Sequence, residues 1–127
     1  MIVGTGIDLV EIGRIEHAIA RYGARFLDRV FTCGEQSYCL RKRHAAESFA
    51  GRFAAKEAAA KALGTGIGHG VIWREIEVVR EPGGRPSVRF HGRAEEIAGR
   101  MGVVHASLSI SHTDALAMAS VAAEDGR

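Results

Sequence analysis

Three residues of this 127-residue chain have the types and spacing that suit phosphate chemistry. Asp8 stands between Ile7 and Leu9 in an apolar N-terminal segment, whereas Glu57 and Lys61 stand four residues apart. Side chains four residues apart project from the same face of a helix. A carboxylate in a buried strand is costly unless a metal, a cation or backbone donors compensate it. Asp8 and Glu57 therefore predict a Mg²⁺ site with oxygen ligands, and Lys61 lies beside it.

Two structural alternatives to this site stay open. The Asp8 carboxylate is also placed to cap a helix whose pattern begins near Glu11. Glu57 and Lys61 also fit an ordinary exposed ion pair, which contributes only about 0.3 kcal/mol. The surrounding segment favours the packed site, because alanines at four-residue steps let another segment approach this helix closely. Those alanines are Ala50, Ala54, Ala58 and Ala62, and Phe49 and Phe53 accompany them.

More cations lie on the same helical segment. Arg52 and Lys56 precede Lys61 within it, and an Arg-Lys-Arg run occupies positions 41–43. Guanidinium and ammonium groups are the usual protein ligands of phosphate, so these residues predict a site for a phosphorylated small molecule. The glycine-rich segment 64–70 follows a helix and lacks the P-loop pattern, so it is not a phosphate-cradling loop of that class.

A basic stripe runs along the first helical segment. Arg14, Arg21 and Arg25 lie opposite its apolar positions, and residues 14–61 hold ten basic and five acidic residues. This stripe is either an ordinary solvated face or a docking surface for an acidic protein. The net charge of +2 and the lack of interleaved exposed aromatics argue against a nucleic-acid partner.

The hydrophobic patterns predict an α+β fold, with one domain over residues 1–127 and a small antiparallel sheet packed with helices. Residues 2–10 read as a largely buried strand. A helix follows from Glu11, and Gly23 is placed to end or break it; its core positions are Ile12, Ile15, Ile19, Tyr22 and Phe26. Residues 34–62 form a second helical region closed by a left-handed Gly64. Hairpins are predicted over 72–80 with 87–91 and over 103–110 with 115–122, and a helix over 93–101.

Composition excludes several classes of protein. The chain is 46% hydrophobic and 25% charged, and none of its apolar runs approaches the roughly 20 residues of a membrane span. The N-terminus lacks the basic region of a signal peptide. Cys33 and Cys39 make neither a disulfide framework nor a zinc site, so we expect a cytoplasmic location. His69, His105 and His112 have no partner at zinc-ligand spacing.

Three segments resemble the sequence blocks of the holo-acyl-carrier-protein synthases, the short trimeric type of the 4′-phosphopantetheinyl transferase superfamily. They are GTGIDLVEIGRI at 4–15, FAGRFAAKEAAAKALGTGI at 49–67 and SLSISHT at 107–113. The segment FTCGEQSYC at 31–39 is similar to the stretch between the first two blocks. The resemblance runs in order over nearly the whole chain, and its middle block is the most specific.

The resemblance implies a magnesium enzyme that transfers 4′-phosphopantetheine from coenzyme A to a serine of acyl carrier protein. It also implies a homotrimer with active sites between subunits. In this resemblance Asp8 and Glu57 bind magnesium and the coenzyme's diphosphate, and Lys61 contacts the same phosphates. Arg52 and its basic neighbours, including Lys56, bind the other phosphate groups, Gly64 lines the coenzyme's path, His105 lies near the coenzyme, and Arg14, Arg21 and Arg25 dock the acidic carrier.

In the catalytic assignment that follows, Glu57 accepts the serine proton, directly or through a metal-bound water, and Lys61 stabilises the charge of the leaving phosphate. Some members of the family carry His-Asp where this chain has His112 followed by Thr113. No role is transferred to that position. A non-catalytic module that binds nucleotide or acidic protein through the basic half of the chain stays as the alternative.

Overall fold

The structure, a computed structural model, describes residues 1–127 and has the predicted α+β architecture. Helices and strands alternate in groups along the chain. In chain order they are β1 Ile2–Glu11, α1 Ile12–Tyr22, α2 Ala24–Val30, α3 Cys33–Leu40, α4 Ala45–Ala62, β2 Ile76–Arg80, β3 Pro86–Phe90, α5 Gly92–Met101, β4 His105–His112 and β5 Leu116–Glu124. No helix of the chain is both long enough and apolar enough to cross a bilayer.

The strands form two antiparallel sheets. One has three strands in the order β1-β5-β4, and the other is the β2-β3 hairpin. Both predicted hairpins are therefore confirmed, although β4 continues to His112 and the turn before β5 lies at 113–115. In the larger sheet Asp8 pairs with Ala119, which pairs in turn with Ile110. This register places Asp8 in the middle of edge strand β1.

Helix α4 packs across one face of the three-stranded sheet, which we call the inner face. Its contact with β1 depends on residues without large side chains. A Cβ added at Gly6 would lie 1.9 Å from the Ala58 carbonyl oxygen, and one at Gly4 would lie 2.0 Å from that of Ala62. Strand and helix backbones are thus in direct contact, as the alanine spacing predicted. This contact brings the end of α4 that carries Glu57 and Lys61 against β1.

The prediction that β1 is largely buried was wrong for one of its faces. Alternate residues of a strand point to opposite sides of the sheet. The even-numbered side of β1 faces α4, whereas Ile7 and Leu9 are each 59% exposed on the opposite, outer face. Apolar residues on an uncovered sheet face produce the same sequence pattern as a strand buried on both sides.

One predicted boundary is confirmed and two differ. Gly23, with φ at 54°, ends α1 as predicted, but Tyr22 is half exposed instead of facing the core. The second helical region is two helices, because residues 41–44 separate α3 from α4. The predicted strand over 72–80 begins only at Ile76, since Trp73–Glu75 forms a short 3₁₀ turn. Gly64 and Gly102 take the left-handed conformation expected after a helix.

Candidate active site

Lys61 and Asp8 meet at the free edge of β1. The Lys61 ammonium lies 3.2 Å from a carboxylate oxygen of Asp8 and donates to the backbone carbonyl of Ile7 at 3.0 Å. The Asp8 side chain is only 14% exposed, whereas that of Lys61 is half exposed. The Lys61 ammonium thus binds the edge of the strand and remains partly open to solvent. Asp8 does not cap α1, whose first turn has no side-chain cap.

Glu57 lies one helical turn before Lys61 and shares its electrostatic environment. Burial raises the pKa of the Glu57 carboxyl above its usual value, and the negative charge of Asp8 raises it further. The charges of Lys61 and Arg14 act in the opposite direction. The structure thus brings Asp8, Glu57 and Lys61 together, with Arg14 of α1 close enough to influence Glu57.

The two carboxylates fit a hard divalent cation. Asp8 and Glu57 repel one another electrostatically, and a cation between them would remove that repulsion. No group of three or more acidic, histidine or cysteine side chains is arranged to enclose a metal. Such an incomplete set suits Mg²⁺, which commonly takes one or two carboxylates and completes its shell with water and substrate phosphate oxygens.

A broad cleft lies over the outer face of the three-stranded sheet. It has a volume of about 750 Å³ and includes Lys61 at its edge. Serines and small residues from all three strands form its floor, among them Thr5, Ser107, Ser109, Ser120 and Ala122. Apolar side chains of the same strands lie between these hydroxyls, and a mixed floor with a cation at its edge is suited to an elongated phosphorylated ligand.

Arg52 lies in a second hollow of about 290 Å³, beside the N-terminal half of α4 and apart from Glu57 and Lys61. Its side chain is 94% buried by neighbours and its Nε has no hydrogen-bond partner. The hollow also contains Tyr38, Arg80, Glu47 and His112. A buried donor without a partner is costly, so an anion in this hollow would satisfy Arg52.

The structure places Lys56 away from both hollows. Its ammonium is fully buried and lies 2.6 Å from a carboxylate oxygen of Glu35 in α3. The same Glu35 carboxylate accepts the backbone N–H groups of Thr32 and Val78. The prediction that Lys56 binds the coenzyme's phosphates was therefore wrong. Its ammonium pairs with Glu35 inside the protein and, through that carboxylate, connects α4 to α3 and β2.

His105 lies beside the cleft, and Gly64 follows the helix that carries Lys61. Gly64 follows α4 with φ at 80°, and its N–H bonds to the Lys61 carbonyl, so it turns the chain away directly after Glu57 and Lys61. His105 is exposed at the start of β4, in a smaller hollow that shares Arg85, Ser107 and Leu108 with the cleft. His105 is therefore placed close to a ligand that occupies the cleft, whereas the ligand contact of Gly64 stays a prediction.

The predicted basic stripe extends over two helices. Arg14 and Arg21 belong to α1, but Gly23 breaks the helix and Arg25 belongs to α2. All three are exposed, and Arg25 shares a shallow hollow with Tyr22, a second arginine and an aromatic residue: Arg29 and Phe26. The exposed surface therefore combines cations with an aromatic side chain, and it adjoins Glu57 through Arg14.

Sequence reasoning missed the partners of Arg52. Tyr38 of α3 and Arg80 of β2 lie beside its guanidinium, although 14 and 28 positions separate them from it in the chain. Arg85, which follows the β2-β3 turn, lines the cleft opposite Lys61. No local pattern signals these contacts, because they depend on how the β2-β3 hairpin packs against α3 and α4.

Comparison with known proteins assigns the family. The sequence model of the 4′-phosphopantetheinyl transferase superfamily matches residues 4–119. The chain is 56% identical over 125 residues to the holo-[acyl-carrier-protein] synthase of Koribacter versatilis, covering 98% of this chain and 100% of that protein. It is 50% identical to the corresponding synthase of Solibacter usitatus, with the same coverage.

Solved structures agree with the sequence relatives. The holo-[acyl-carrier-protein] synthase of Neisseria meningitidis superposes with a TM-score of 0.88 at 34% identity, covering 98% of this chain and 99% of that one. That of Helicobacter pylori, in complex with coenzyme A, superposes with a TM-score of 0.83 at 34% identity, covering 94% and 99%. This chain belongs to the 4′-phosphopantetheinyl transferase superfamily, and within it to the holo-acyl-carrier-protein synthases.

Proposed function

We propose that this chain transfers the 4′-phosphopantetheine group of coenzyme A to a serine of apo acyl carrier protein, releasing adenosine 3′,5′-bisphosphate. The observation that carries the proposal is the meeting of Asp8, Glu57 and Lys61, of which Lys61 also lines a cleft large enough for an elongated phosphorylated ligand. Relatives over the full length of the chain are synthases of this kind, and one neighbouring structure holds coenzyme A.

Each of the three residues has a task in this reaction. The serine oxygen attacks the β-phosphorus, the bond from that phosphorus to the bridging oxygen breaks, and the serine proton passes to a base. Glu57 is our candidate for that base, directly or through a bound water molecule, because it is the carboxylate beside Lys61 that does not pair with it. Lys61 is half exposed at the cleft edge, where its charge stabilises the departing phosphate.

We propose magnesium as the metal of this site, held by Asp8 and Glu57. When bound, the ion neutralises charge that develops on the diphosphate and aligns the two reactants. In the chain itself Lys61 partly offsets the charge of Asp8 at 3.2 Å. This leaves Glu57 as the less compensated carboxylate, consistent with the direction of its pKa shift.

We further propose a homotrimer with active sites between subunits. The cleft lies over the outer face of the sheet, which is uncovered in a single chain. Ile7 and Leu9 are each 59% exposed there and Met118 is 42% exposed. Large apolar side chains side by side on an exposed surface indicate a contact between proteins. A second copy over this face would bury them and close the cleft.

The partners and the setting follow from the surface and composition. The exposed cations Arg14, Arg21 and Arg25 support docking of an acidic carrier protein, and Arg14 connects that surface to Glu57. We keep residues 1–127 as one domain, because a single cluster of 26 buried residues joins its helices and strands. A cytoplasmic location also stays a proposal, consistent with two free cysteines.

The test is intact-mass spectrometry of an apo acyl carrier protein incubated with this protein, coenzyme A and magnesium. We expect a gain equal to one phosphopantetheine group, and we expect EDTA to abolish it. Glu57→Gln should remove the gain, whereas the matched control Glu96→Gln, on the exposed side of α5, should retain it. Unchanged transfer by Glu57→Gln would contradict the roles of this residue as base and metal ligand.

One alternative function has support in the basic surface. A non-catalytic module would bind nucleotide or acidic protein through its cations without needing Asp8. Asp8→Ala would then leave binding of coenzyme A intact, and no mass would be added to the carrier under any condition. The buried position of Asp8 beside Lys61 favours the enzyme over this module.

A further inference from the structure

One carboxylate of β2 connects two other parts of the chain through its two oxygens. The Oε2 atom of Glu77 accepts the Thr32 hydroxyl at 2.8 Å, and its Oε1 atom lies 3.0 Å from the Nε2 atom of His91. Thr32 is the N-cap of α3, and His91 is the N-cap of α5 directly after β3. Glu77 therefore joins α3 to the corner between β3 and α5, at the base of the hairpin that also brings Arg85 to the cleft.

His91 is the one basic side chain within ion-pair distance of Glu77. Lys56 of α4 acts on the Glu77 carboxyl from further away, because its ammonium is paired with Glu35 of α3. Two carboxylates thus face one ammonium, and the charge balance of this cluster depends on His91. The other charged or titratable side chains on the surrounding elements make no hydrogen bond or ion pair with the side chains of Glu77 and His91; they are Cys33, Arg74, Glu75, Arg89, Arg93 and Glu95.

Protonation of His91 adds a charge to a hydrogen bond that exists without it. An ionised carboxylate only accepts hydrogen bonds, so the Nε2 atom of His91 donates to Glu77 from the neutral and from the charged imidazole. The neutral ring makes an ordinary hydrogen bond, whereas the charged ring makes a charge-assisted one, which is roughly twice as strong. The side chain of Glu77 is 21% exposed and that of His91 is 49% exposed, so solvent screens part of this gain.

We propose that His91 and Glu77 form a pH-sensitive clasp, in which the protonated imidazole fastens the β3-α5 corner to β2 and, through Thr32, to α3. Histidine is the side chain whose charge ordinarily changes near neutral pH, so the clasp strengthens in mildly acidic solution. When His91 loses its proton, an ordinary hydrogen bond remains. This device goes beyond the proposed function and does not depend on it.

The clasp stabilises the fold over a defined range of pH. The imidazolium has this carboxylate as its partner only in the folded chain, so stability increases as the pH falls through the range where histidine titrates, around pH 6.5, and the gain is lost as the pH rises. Burial raises the pKa of the Glu77 carboxyl, but the hydrogen bonds from Thr32 and His91 outweigh burial and hold that pKa below its usual value. The clasp therefore keeps its negative partner throughout this range and loses it only in more acidic solution.

Chemical denaturation at several pH values tests the clasp. His91→Gln keeps a side-chain donor but cannot become charged, and His17→Gln, on the exposed face of α1, is the matched control. Between about pH 8 and pH 5.5, we expect the unfolding equilibrium constant of His91→Gln to rise about three- to fivefold relative to that of the parent protein. His17→Gln should follow the parent protein. A ratio of the His91→Gln constant to the parent constant that is the same at both pH values would overturn the proposal.

A second variant identifies Glu77 as the partner of the charge. Glu77→Gln keeps an acceptor for the Thr32 hydroxyl and removes the negative charge, so adding His91→Gln to it should produce no further pH-dependent change in the unfolding constant. A further three- to fivefold change in the double variant would show that His91 responds to another group, and would contradict the clasp. These measurements use neither coenzyme A nor a carrier, so their outcome is independent of the proposed function.

Discussion

At the scale of single residues, Glu57 is held between opposing electrostatic effects. Burial and the charge of Asp8 raise the pKa of its carboxyl, whereas Lys61 and Arg14 lower it. Magnesium binding and proton acceptance both require the ionised carboxylate. The affinity of the metal-free chain for magnesium should therefore be lost as the pH falls through the pKa of Glu57, which calorimetric titration with magnesium at several pH values measures. Because that pKa is raised, the loss should begin at a higher pH than an ordinary glutamate would cause.

The sign of each neighbour's effect on Glu57 can be tested directly. In the metal-free protein, Asp8→Asn should lower the pKa of Glu57, because it removes a negative charge. Lys61→Met should raise that pKa, because it removes a positive charge. Carbon-13 NMR titration of the glutamate carboxyls measures both, with Glu57→Gln identifying the resonance. Shifts in the same direction in the two variants would contradict the arrangement described here.

A second residue-scale prediction concerns the buried ion pair of Glu35 and Lys56. Lys56→Met leaves the Glu35 carboxylate without its cation at a fully buried position, and this should lower the free energy of unfolding by about 3–5 kcal/mol. Glu35→Gln combined with Lys56→Met removes both charges and should cost less than Lys56→Met alone. Chemical denaturation measures both. Weaker coenzyme binding by folded Lys56→Met with unchanged stability would instead restore a ligand role for Lys56.

The sequence was informative for the part of the site that one helix and one strand provide. The four-residue spacing of Glu57 and Lys61, and the cost of a carboxylate within an apolar strand, made the meeting with Asp8 one of the open alternatives, and the resemblance favoured it. The same reasoning failed for Lys56, because its position on the helix does not show that Glu35, 21 residues earlier, neutralises it. Tyr38 and Arg80 were missed for the same reason: tertiary packing brings them to Arg52.

At the scale of elements, the closeness of β1 and α4 determines whether the site exists. Gly6→Ala places a methyl carbon 1.9 Å from the Ala58 carbonyl oxygen, so strand and helix must move apart. We expect a loss of about 3 kcal/mol or more in the free energy of unfolding, together with reduced transfer, because Asp8 then moves away from Lys61.

Gly13→Ala is the matched control for this substitution. Nothing lies within 4 Å of a Cβ added at Gly13, on the exposed surface of α1. It should leave the free energy of unfolding within about 0.5 kcal/mol of the parent protein. Thermal and chemical denaturation of both variants would test the contact, and equal stability of Gly6→Ala and Gly13→Ala would refute it.

Element types were more predictable than element boundaries. Alternation and turn residues were enough to predict both hairpins, and alanine content predicted α4. Two boundaries failed for physical reasons that local sequence does not contain. Residues 41–44 separate α3 from α4 although this stretch holds neither glycine nor proline. Residues 72–75, two apolar followed by two charged, are equally compatible with a strand and with the 3₁₀ turn that leads into β2.

At the scale of the whole molecule, the chain leaves one face of its main sheet uncovered. Leu9 and Met118 are paired across β1 and β5, and both are exposed on that face. The cleft that includes Lys61 lies over the same face, so a second copy bound there would form its missing wall. Assembly and catalysis should therefore depend on the same surface.

Leu9→Lys should separate the proposed trimer into single chains, because burying three ammonium groups in an apolar contact is strongly unfavourable. Leu40→Lys is the matched control, since Leu40 is 61% exposed at the end of α3, away from this sheet. Size-exclusion chromatography with light scattering should give three times the chain mass for the parent protein and Leu40→Lys. For Leu9→Lys it should give the single-chain mass, and transfer should fall because the cleft is left open. A parent protein of single-chain mass would contradict the trimer, whereas full activity of a monomeric Leu9→Lys would contradict a site completed by a second copy.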